Sequence, residues 1–336
     1  MDIFIYGSGA WGTALAMLLC GNGHRVTLWT HDPEKAAAMV RTHKNPALAG
    51  VVLPRELAVT SDPAGAAEAE LVLFASPSNI LRRTARTAAP HIRPGTVLVS
   101  ATKGIEAETE LRMSQIIRQQ IGEDCPVAVL SGPSHAEEVS RRMATGCVAA
   151  CGDRAVAELV QKVFMNDMFR VYVNQDVVGV ELCGAVKNVI ALGCGVIDGL
   201  SLGDNAKALF MTRAMAEIAI LCQKAGGHRT TCSGLAGMGD LIVTCLSPHS
   251  RNRQAGLLIG RGAPVALALR EVGAVVEGYY AAASVTELGK RLGVELPICQ
   301  SVYGVLYEEQ DPEEMLRRLM RRDRRSEFDY YNWDRT

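Results

Sequence analysis

Net charge is nearly absent from this 336-residue chain, where 35 Lys and Arg meet 36 Asp and Glu for a formal charge of −1. That balance gives no hint of nucleic-acid binding or of bulk attraction to an anionic membrane. The ten cysteines include no C-x-x-C pair, and Cys147 and Cys151 alternate with small residues as in a strand. A zinc knuckle is not expected, no metal is assigned, and the scattered thiols fit a reducing cytosol. A long apolar run free of breaks is also missing. The nearest approach, Val177–Leu202, is interrupted by Lys187, Asn188 and five glycines, which suits a protein core better than a bilayer. At the N-terminus no basic segment precedes an apolar signal core, because Asp2-Ile3-Phe4-Ile5-Tyr6 enters a strand at once. A cytoplasmic protein is expected.

The length suits two domains with sizeable cores. In the first half, β-rich runs alternate with helical ones. Strands are expected at Asp2–Tyr6, Arg25–Trp29, Leu71–Ala75, Thr96–Ala101, Val127–Ser131, Gly146–Ala150 and Arg170–Val173. Helices are expected at Gly12–Gly21, Pro33–Thr42, Ile80–Ala88 and Glu108–Ile121. Such alternation predicts an α/β fold with a parallel, doubly wound, Rossmann-like sheet. From about Asn174 the strands stop and an all-α domain follows, with Asn174 or Asp176 placed to cap its first helix. The expected division is residues 1–174, residues 175–322, and a mobile or surface-lying tail over residues 323–336.

Gly7-Ser8-Gly9-Ala10-Trp11-Gly12 follows the first strand and opens a helix. A bare G-x-G-x-x-G is weak evidence, but here the strand before, the apolar helix after and a second strand at Arg25–Trp29 give it the context of a dinucleotide fingerprint. Gly7 permits the turn, Gly9 lets a pyrophosphate approach the backbone, and Gly12 allows helix and strand to pack closely. The choice of cofactor stays open. An acidic residue usually ends the second strand in NAD sites, whereas here Trp29 is followed by Thr30, His31 and only then Asp32. His31 suits a 2′-hydroxyl, a 2′-phosphate or simply an exposed loop.

Lys187 is the most informative single residue. Glu181 and Lys187 are the only charged side chains in Val177–Ile197, a segment apolar on several faces. Lysine is almost never fully buried unless paired or used, and burial moves its pKa towards values useful for proton transfer. The plainer alternative is a packed stem with its head reaching water. Lys103 follows the strand Thr96–Ala101 and so points at the crevice of the fingerprint, where open α/β sheets bind ligands. Ser134, after Gly132-Pro133, serves either to cap the next helix or to bind a ligand. His135, Glu137 and Glu138 are expected on that helix's outer face. In the helical half, Gly234–Asp240 is a glycine-rich turn ending in a carboxylate, which also suits a cap for Leu241–Leu246. Ser250 reads as an N-cap, placing Arg251 and Arg253 in a first helical turn where positive charge opposes the dipole. A bound phosphate would resolve that conflict, with Arg251 gripping it in bidentate fashion.

Together these segments resemble the NAD(P)-dependent glycerol-3-phosphate dehydrogenases, close to the bacterial form. The resemblance rests on GSGAWGTALA from Gly7, ATKGIE from Ala101, LSGPSHAEEV from Leu130 and GAVKNVIALGCGVIDGL from Gly184. It continues through GLAGMGDLIVTCLSPHSRNR from Gly234 and VVEGYY from Val275, in the family's order, over roughly residues 1 to 320. The resemblance implies reversible reduction of dihydroxyacetone phosphate by NAD(P)H to sn-glycerol 3-phosphate, feeding phospholipid synthesis, in a homodimer. By motif position it makes Lys187 the proton donor and acceptor. It gives Lys103, Gly132, Ser134, Asp240, Ser250, Arg251 and Asn252 to the substrate, with Asn188 and Thr244 as polar neighbours of the reacting group. Ala10, Trp11, His31, Ala136, Val275 and Glu277 fall at cofactor positions, with Lys103 and Arg251 near both ligands.

Two other readings compete. A β-hydroxyacid or 6-phosphogluconate type of dehydrogenase also uses a helix-borne lysine, but must accommodate a carboxylate, and the Lys103 loop and the S-P-H-S-R-N segment argue against it. A silent dinucleotide sensor would not need Lys187, Lys103 and Asp240 all intact.

Overall fold

The computed structural model describes residues 1–323 and Glu327. Apart from Asp323 and Glu327, the expectation for the tail over residues 323–336 falls outside the described residues. The strands are β1 (Asp2–Tyr6), β2 (Arg25–Trp29), β3 (Ala58–Thr60), β4 (Leu71–Phe74), β5 (Val97–Ser100), β6 (Val127–Ser131), β7 (Thr145–Ala150) and β8 (Phe169–Asn174). They form one sheet in the order β3-β2-β1-β4-β5-β6-β7-β8. The reversal between β1 and β4 is the switch point at which doubly wound sheets open a ligand crevice.

Six helices flank the strands: α1 (Ala10–Gly21), α2 (Pro33–Thr42), α3 (Leu81–Ala88), α4 (Met113–Ile121), α5 (Ala136–Ser140) and α6 (Arg154–Phe164). Among the described residues, only helices follow Asn174: α7 (Val177–Gly199), α8 (Gly203–Lys224), α9 (Asp240–Leu246), α10 (Arg251–Gly260), α11 (Val265–Val272), α12 (Glu277–Leu292), α13 (Pro297–Tyr307) and α14 (Pro312–Met320). Thus a Rossmann-like sheet domain precedes a helical one.

Three details depart from the sequence reading. First, the sheet is not wholly parallel, because β7 runs antiparallel to β6. Between Ser131 and Thr145 the only helix is the five-residue α5, too short to carry the chain back to the other end of the sheet, so β7 turns back beside β6. Second, β3 has no counterpart among the expected strands; it pairs parallel to β2 on the sheet's edge. Third, α4 starts at Met113 rather than Glu108, because Ile105 and Arg112 form an antiparallel bridge and Glu110 takes a left-handed φ of 56°.

Helix α7 organises the second domain. Asp176 caps it, accepting a hydrogen bond from the Gly179 amide at 2.8 Å. Among the described residues it is the one helix long and apolar enough to cross a membrane, and its residues from Gly179 to Ile197 are buried in protein. Near its start, Glu181 is answered by Arg112 and by the Ser114 amide and hydroxyl at the start of α4, which ties the two domains together. Helix α10 lies against α7 at backbone distance. A Cβ on Gly256 would stand 1.9 Å from the Leu192 carbonyl oxygen, and one on Gly195 would stand 2.1 Å from that of Arg253. Close approach of this kind requires glycine, and it sets the start of α10 beside Lys187.

Candidate active site

Lys187 lies one turn beyond Gly184, whose missing Cβ faces the Ser131 hydroxyl at 3.0 Å and the Lys103 side chain at 3.6 Å. Helix α7 therefore presses on the carboxyl ends of β5 and β6, and the two lysines converge. Asp240 joins them. Its Oδ1 accepts from Lys187 Nζ at 2.5 Å and its Oδ2 from Lys103 Nζ at 2.8 Å. Lys187 also donates to the Thr244 hydroxyl at 2.7 Å, which donates in turn to the Asp240 carbonyl at 2.6 Å. Lys103 also donates to the Gly132 carbonyl at 3.0 Å.

The residues are well removed from water, with Asp240 at 1% and Lys187 at 5% exposure. Burial lowers the pKa of Lys187, Asp240 opposes that shift, and the charge of Lys103 adds to it, leaving a value of about 8. Burial alone would raise the Asp240 carboxyl. The two ammonium charges and their hydrogen bonds outweigh it and hold the group below the usual carboxylate range. One carboxylate between two lysines leaves a net positive site, one of whose ammonium groups can lose its proton near neutral pH.

Asp240 is no helix cap. Leu235–Gly239 forms a π-helical turn that runs directly into α9, so Asp240 stands in the first turn with its carboxylate turned to the lysines. The N-cap expectation for Ser250 agrees with the structure: its hydroxyl accepts from the Arg253 amide at 3.3 Å. The two arginines of that turn divide. Arg253 leaves the site, donating to Asp198 at 2.8 Å. Arg251 is exposed, lines the cleft, and has no ion pair among the described residues. Asn252 accepts from the Gly278 amide at 2.8 Å and donates to Asn188 at 2.9 Å, locking α7, α10 and α12 together.

A cleft of about 300 Å³ runs from the fingerprint to this lysine cluster. Gly9, Ala10 and Trp11 line one end, and Lys187, Asn188, Thr244 and the Ser250–Asn252 turn line the other. Lys103, Ser134, Ala136, Val275 and Glu277 lie along its walls. Gly7 and Gly12 sit beneath the fingerprint loop, where a Cβ on Gly12 would come within 1.9 Å of the Gly7 carbonyl oxygen. Gly132 and Asp240 act from behind the lining, through their contacts with the lysines. His31 is exposed and lies outside the lining.

The matches to known proteins agree with this geometry. The family described as NAD-dependent glycerol-3-phosphate dehydrogenase N-terminus matches residues 2–157, and its C-terminus counterpart matches residues 176–317. The chain belongs to this dehydrogenase family. It is 48% identical to a glycerol-3-phosphate dehydrogenase [NAD(P)+] of Moorella thermoacetica over 99% of each chain. It is 45% identical to the protein of that name from Symbiobacterium thermophilum, over 98% of this chain and 96% of the other. Among solved structures, the glycerol-3-phosphate dehydrogenase of Coxiella burnetii superposes with a TM-score of 0.92 at 34% identity, covering 96% of this chain and 99% of that one.

The cleft fits the family's dinucleotide. Trp11 Nε1 and Ser76 Oγ are buried there without a partner, and nothing stands within 4 Å of a Cβ on Gly9. Donors without acceptors beside an open glycine backbone suit a polar ligand. Glu277, at the start of α12, accepts from the Ser78 amide at 3.1 Å and from its hydroxyl, joining the helical domain to the loop after β4. Burial raises the Glu277 pKa, while Ser78 and the charge of Arg251 oppose the shift.

Two expectations beside this cleft need correction. Ser134 does not cap α5. Its hydroxyl donates to the Gly132 carbonyl at 2.9 Å, and His135 holds the N-cap position without a side-chain bond. His135 is not on an outer face either; it lines the cleft with Glu137, its ring 6.1 Å from that of His249 across the gap. Burial and then the charge of Lys187 lower its pKa. Away from the cleft, the thiols of Cys183, Cys222 and Cys232 lie within 4.8 Å of one another in the helical core.

Proposed function

We propose that this enzyme reversibly interconverts dihydroxyacetone phosphate and sn-glycerol 3-phosphate, with Lys187 as general acid and base. It is an oxidoreductase acting on a CH–OH group with NAD(P), as its family membership implies. The observation that carries the assignment of roles is the single carboxylate of Asp240 gripping both Lys187 and Lys103 at the floor of the fingerprint's cleft.

When bound, the reduced nicotinamide supplies the hydride that the ketone carbon accepts. Negative charge then grows on the carbonyl oxygen, and Lys187 gives that oxygen its proton. Lys103 adds a second positive charge beside it, and preorganised charge of this kind is worth about 3 kcal/mol of barrier. Asp240 and Thr244 fix the amine's direction. Arg251, Asn252 and the N-terminus of α10 hold the phosphate, with Ser250 shaping that turn and Asn188 keeping Asn252 in place. Gly132 and Ser134 complete the wall beside Lys103. In the reverse direction, neutral Lys187 takes the hydroxyl proton.

Residues 1–174 serve as the cofactor domain, with Gly7, Gly9, Ala10, Trp11, Gly12, His31 and Ala136 on the dinucleotide together with Val275 and Glu277. Residues 175–322 serve as the substrate domain. The resemblance of the motifs to the family extends this reading to a cytoplasmic homodimer that supplies phospholipid synthesis. An absorbance assay of NADH and NADPH oxidation with dihydroxyacetone phosphate tests the reading; it predicts turnover with at least one cofactor, and no activity with either would overturn it.

A further inference from the structure

Beside the fingerprint loop, just outside the lining of the cleft, a cation stands where an acid is usual. Strand β2 ends at Trp29, and Thr30 and His31 follow, so the position that commonly gives a carboxylate to the ribose has none. The first acid, Asp32, is occupied by the helix it precedes. Its Oδ1 accepts from the Glu34 amide at 2.9 Å and from the Lys35 amide at 3.1 Å, capping α2. Lys35, in the first turn of α2, folds back across the gap. Its ammonium donates to the Ser8 carbonyl, inside the Gly7-Ser8-Gly9 loop, at 2.9 Å.

That placement carries a cost without a ligand. A cation in the first turn opposes the helix dipole. Burial lowers the pKa of Lys35, and Asp32 only partly opposes the shift. An ammonium has three donors, and one is spent on Ser8. In fingerprint folds the ribose next to the adenine lies between the glycine loop and the end of the second strand, which is the gap Lys35 spans. A 2′-hydroxyl seeks an acceptor there, whereas a 2′-phosphate brings the anion the ammonium lacks.

We propose that Lys35, with His31 at the end of β2, recognises the 2′-phosphate of the dinucleotide and makes NADPH the preferred cofactor. This rests on the dinucleotide-dependent reading above and narrows it. Lys35 is a specificity residue, remote from the reacting atoms.

Binding of adenosine 2′,5′-bisphosphate and of 5′-AMP to the full-length protein, measured by calorimetry, tests this without any turnover. The expected result is at least tenfold tighter binding of the bisphosphate, a preference that falls to within threefold in Lys35→Met and is largely kept in Lys35→Arg. A parallel measurement takes the ratio of kcat/KM for NADPH over NADH, which should drop at least tenfold in Lys35→Met. His31→Ala, at an exposed position, guards against a folding defect and should lower the same preference by a smaller factor. Equal binding of the two nucleotides by the unaltered protein, or an unchanged preference in a folded Lys35→Met, would overturn the proposal. Loss of turnover with the binding preference intact would count against the catalytic reading and leave this one standing.

Discussion

Asp240 and Lys187 meet through a single 2.5 Å contact between Oδ1 and Nζ, and the other oxygen of the carboxylate is taken by Lys103. Removing the lysine therefore leaves Asp240 paired. Lys187→Met should fold, bind NADPH within about threefold of normal, and lose turnover by at least about 10³-fold, in line with the loss of a general acid. Fluorescence titration of the cofactor and a steady-state assay separate the two effects. Retention of near-normal turnover would remove Lys187 from the mechanism.

The pH profile follows from the lowered pKa. Ketone reduction needs Lys187 protonated, so its kcat/KM should fall as pH rises through about 8. Oxidation of glycerol 3-phosphate needs the neutral amine and should rise through the same range. Lys103 lowers the Lys187 pKa by repulsion and shares Asp240 with it. In Lys103→Met both influences vanish, so the limb should move to higher pH while activity drops. A limb that stays in place would mean that the profile reports another group.

Asp240→Asn tests the carboxylate itself. It leaves two ammonium groups facing each other in a site nearly without water. Breaking a buried ion pair from one side costs about 3–5 kcal/mol, and the melting temperature should fall by roughly 5–10 °C. The Lys187 limb should also shift below about 8, since the group that raises its pKa is gone. Calorimetry and the pH–rate profile read the two outcomes separately.

The fingerprint glycines predict opposite phenotypes. A Cβ at Gly12 would sit 1.9 Å from the Gly7 carbonyl oxygen, so Gly12→Ala should destabilise the protein by about 2–3 kcal/mol. At Gly9 no protein atom lies within 4 Å of the added carbon. Gly9→Ala should keep a normal melting temperature and lose dinucleotide affinity by about tenfold or more, because the methyl group would occupy space required by the pyrophosphate. Similar stability losses in both would place the cofactor elsewhere.

Much of this arrangement is written in side-chain pattern. A lysine on an apolar helix, a fingerprint between strand and helix, and a serine before two arginines each point to one local environment. What was hidden depends on long-range geometry. The antiparallel direction of β7 leaves no mark on its own alternation, and β3 is too short to show a period. The π-helical turn that aims Asp240 inward has no residue signature distinct from a flexible loop. The sequence pattern puts His135 on the outer face of a helix, yet the helix begins at Ala136, and the preceding residue escapes its periodicity. Cys183, Cys222 and Cys232 come together only through the packing of α7 and α8 and of the turn before Gly234, with no spacing to reveal it.

The two arginines at the start of α10 provide the sharpest division between binding and structure. Arg251 is exposed beside the cleft and makes no ion pair among the described residues, so the fold depends little on its charge, which acts only at a distance on Glu277. Arg253 points the other way, into Asp198, which Lys207 also holds. Charge-assisted hydrogen bonds to a phosphate are worth about 1.5–3 kcal/mol. Arg251→Ala should therefore raise the KM for dihydroxyacetone phosphate by about 10- to 100-fold and leave the melting temperature within about 1 °C. Arg253→Ala should do the reverse, lowering the melting temperature by about 2–4 °C with KM changed less than about twofold. If both substitutions raise KM alike, the phosphate is gripped by the whole turn rather than by Arg251.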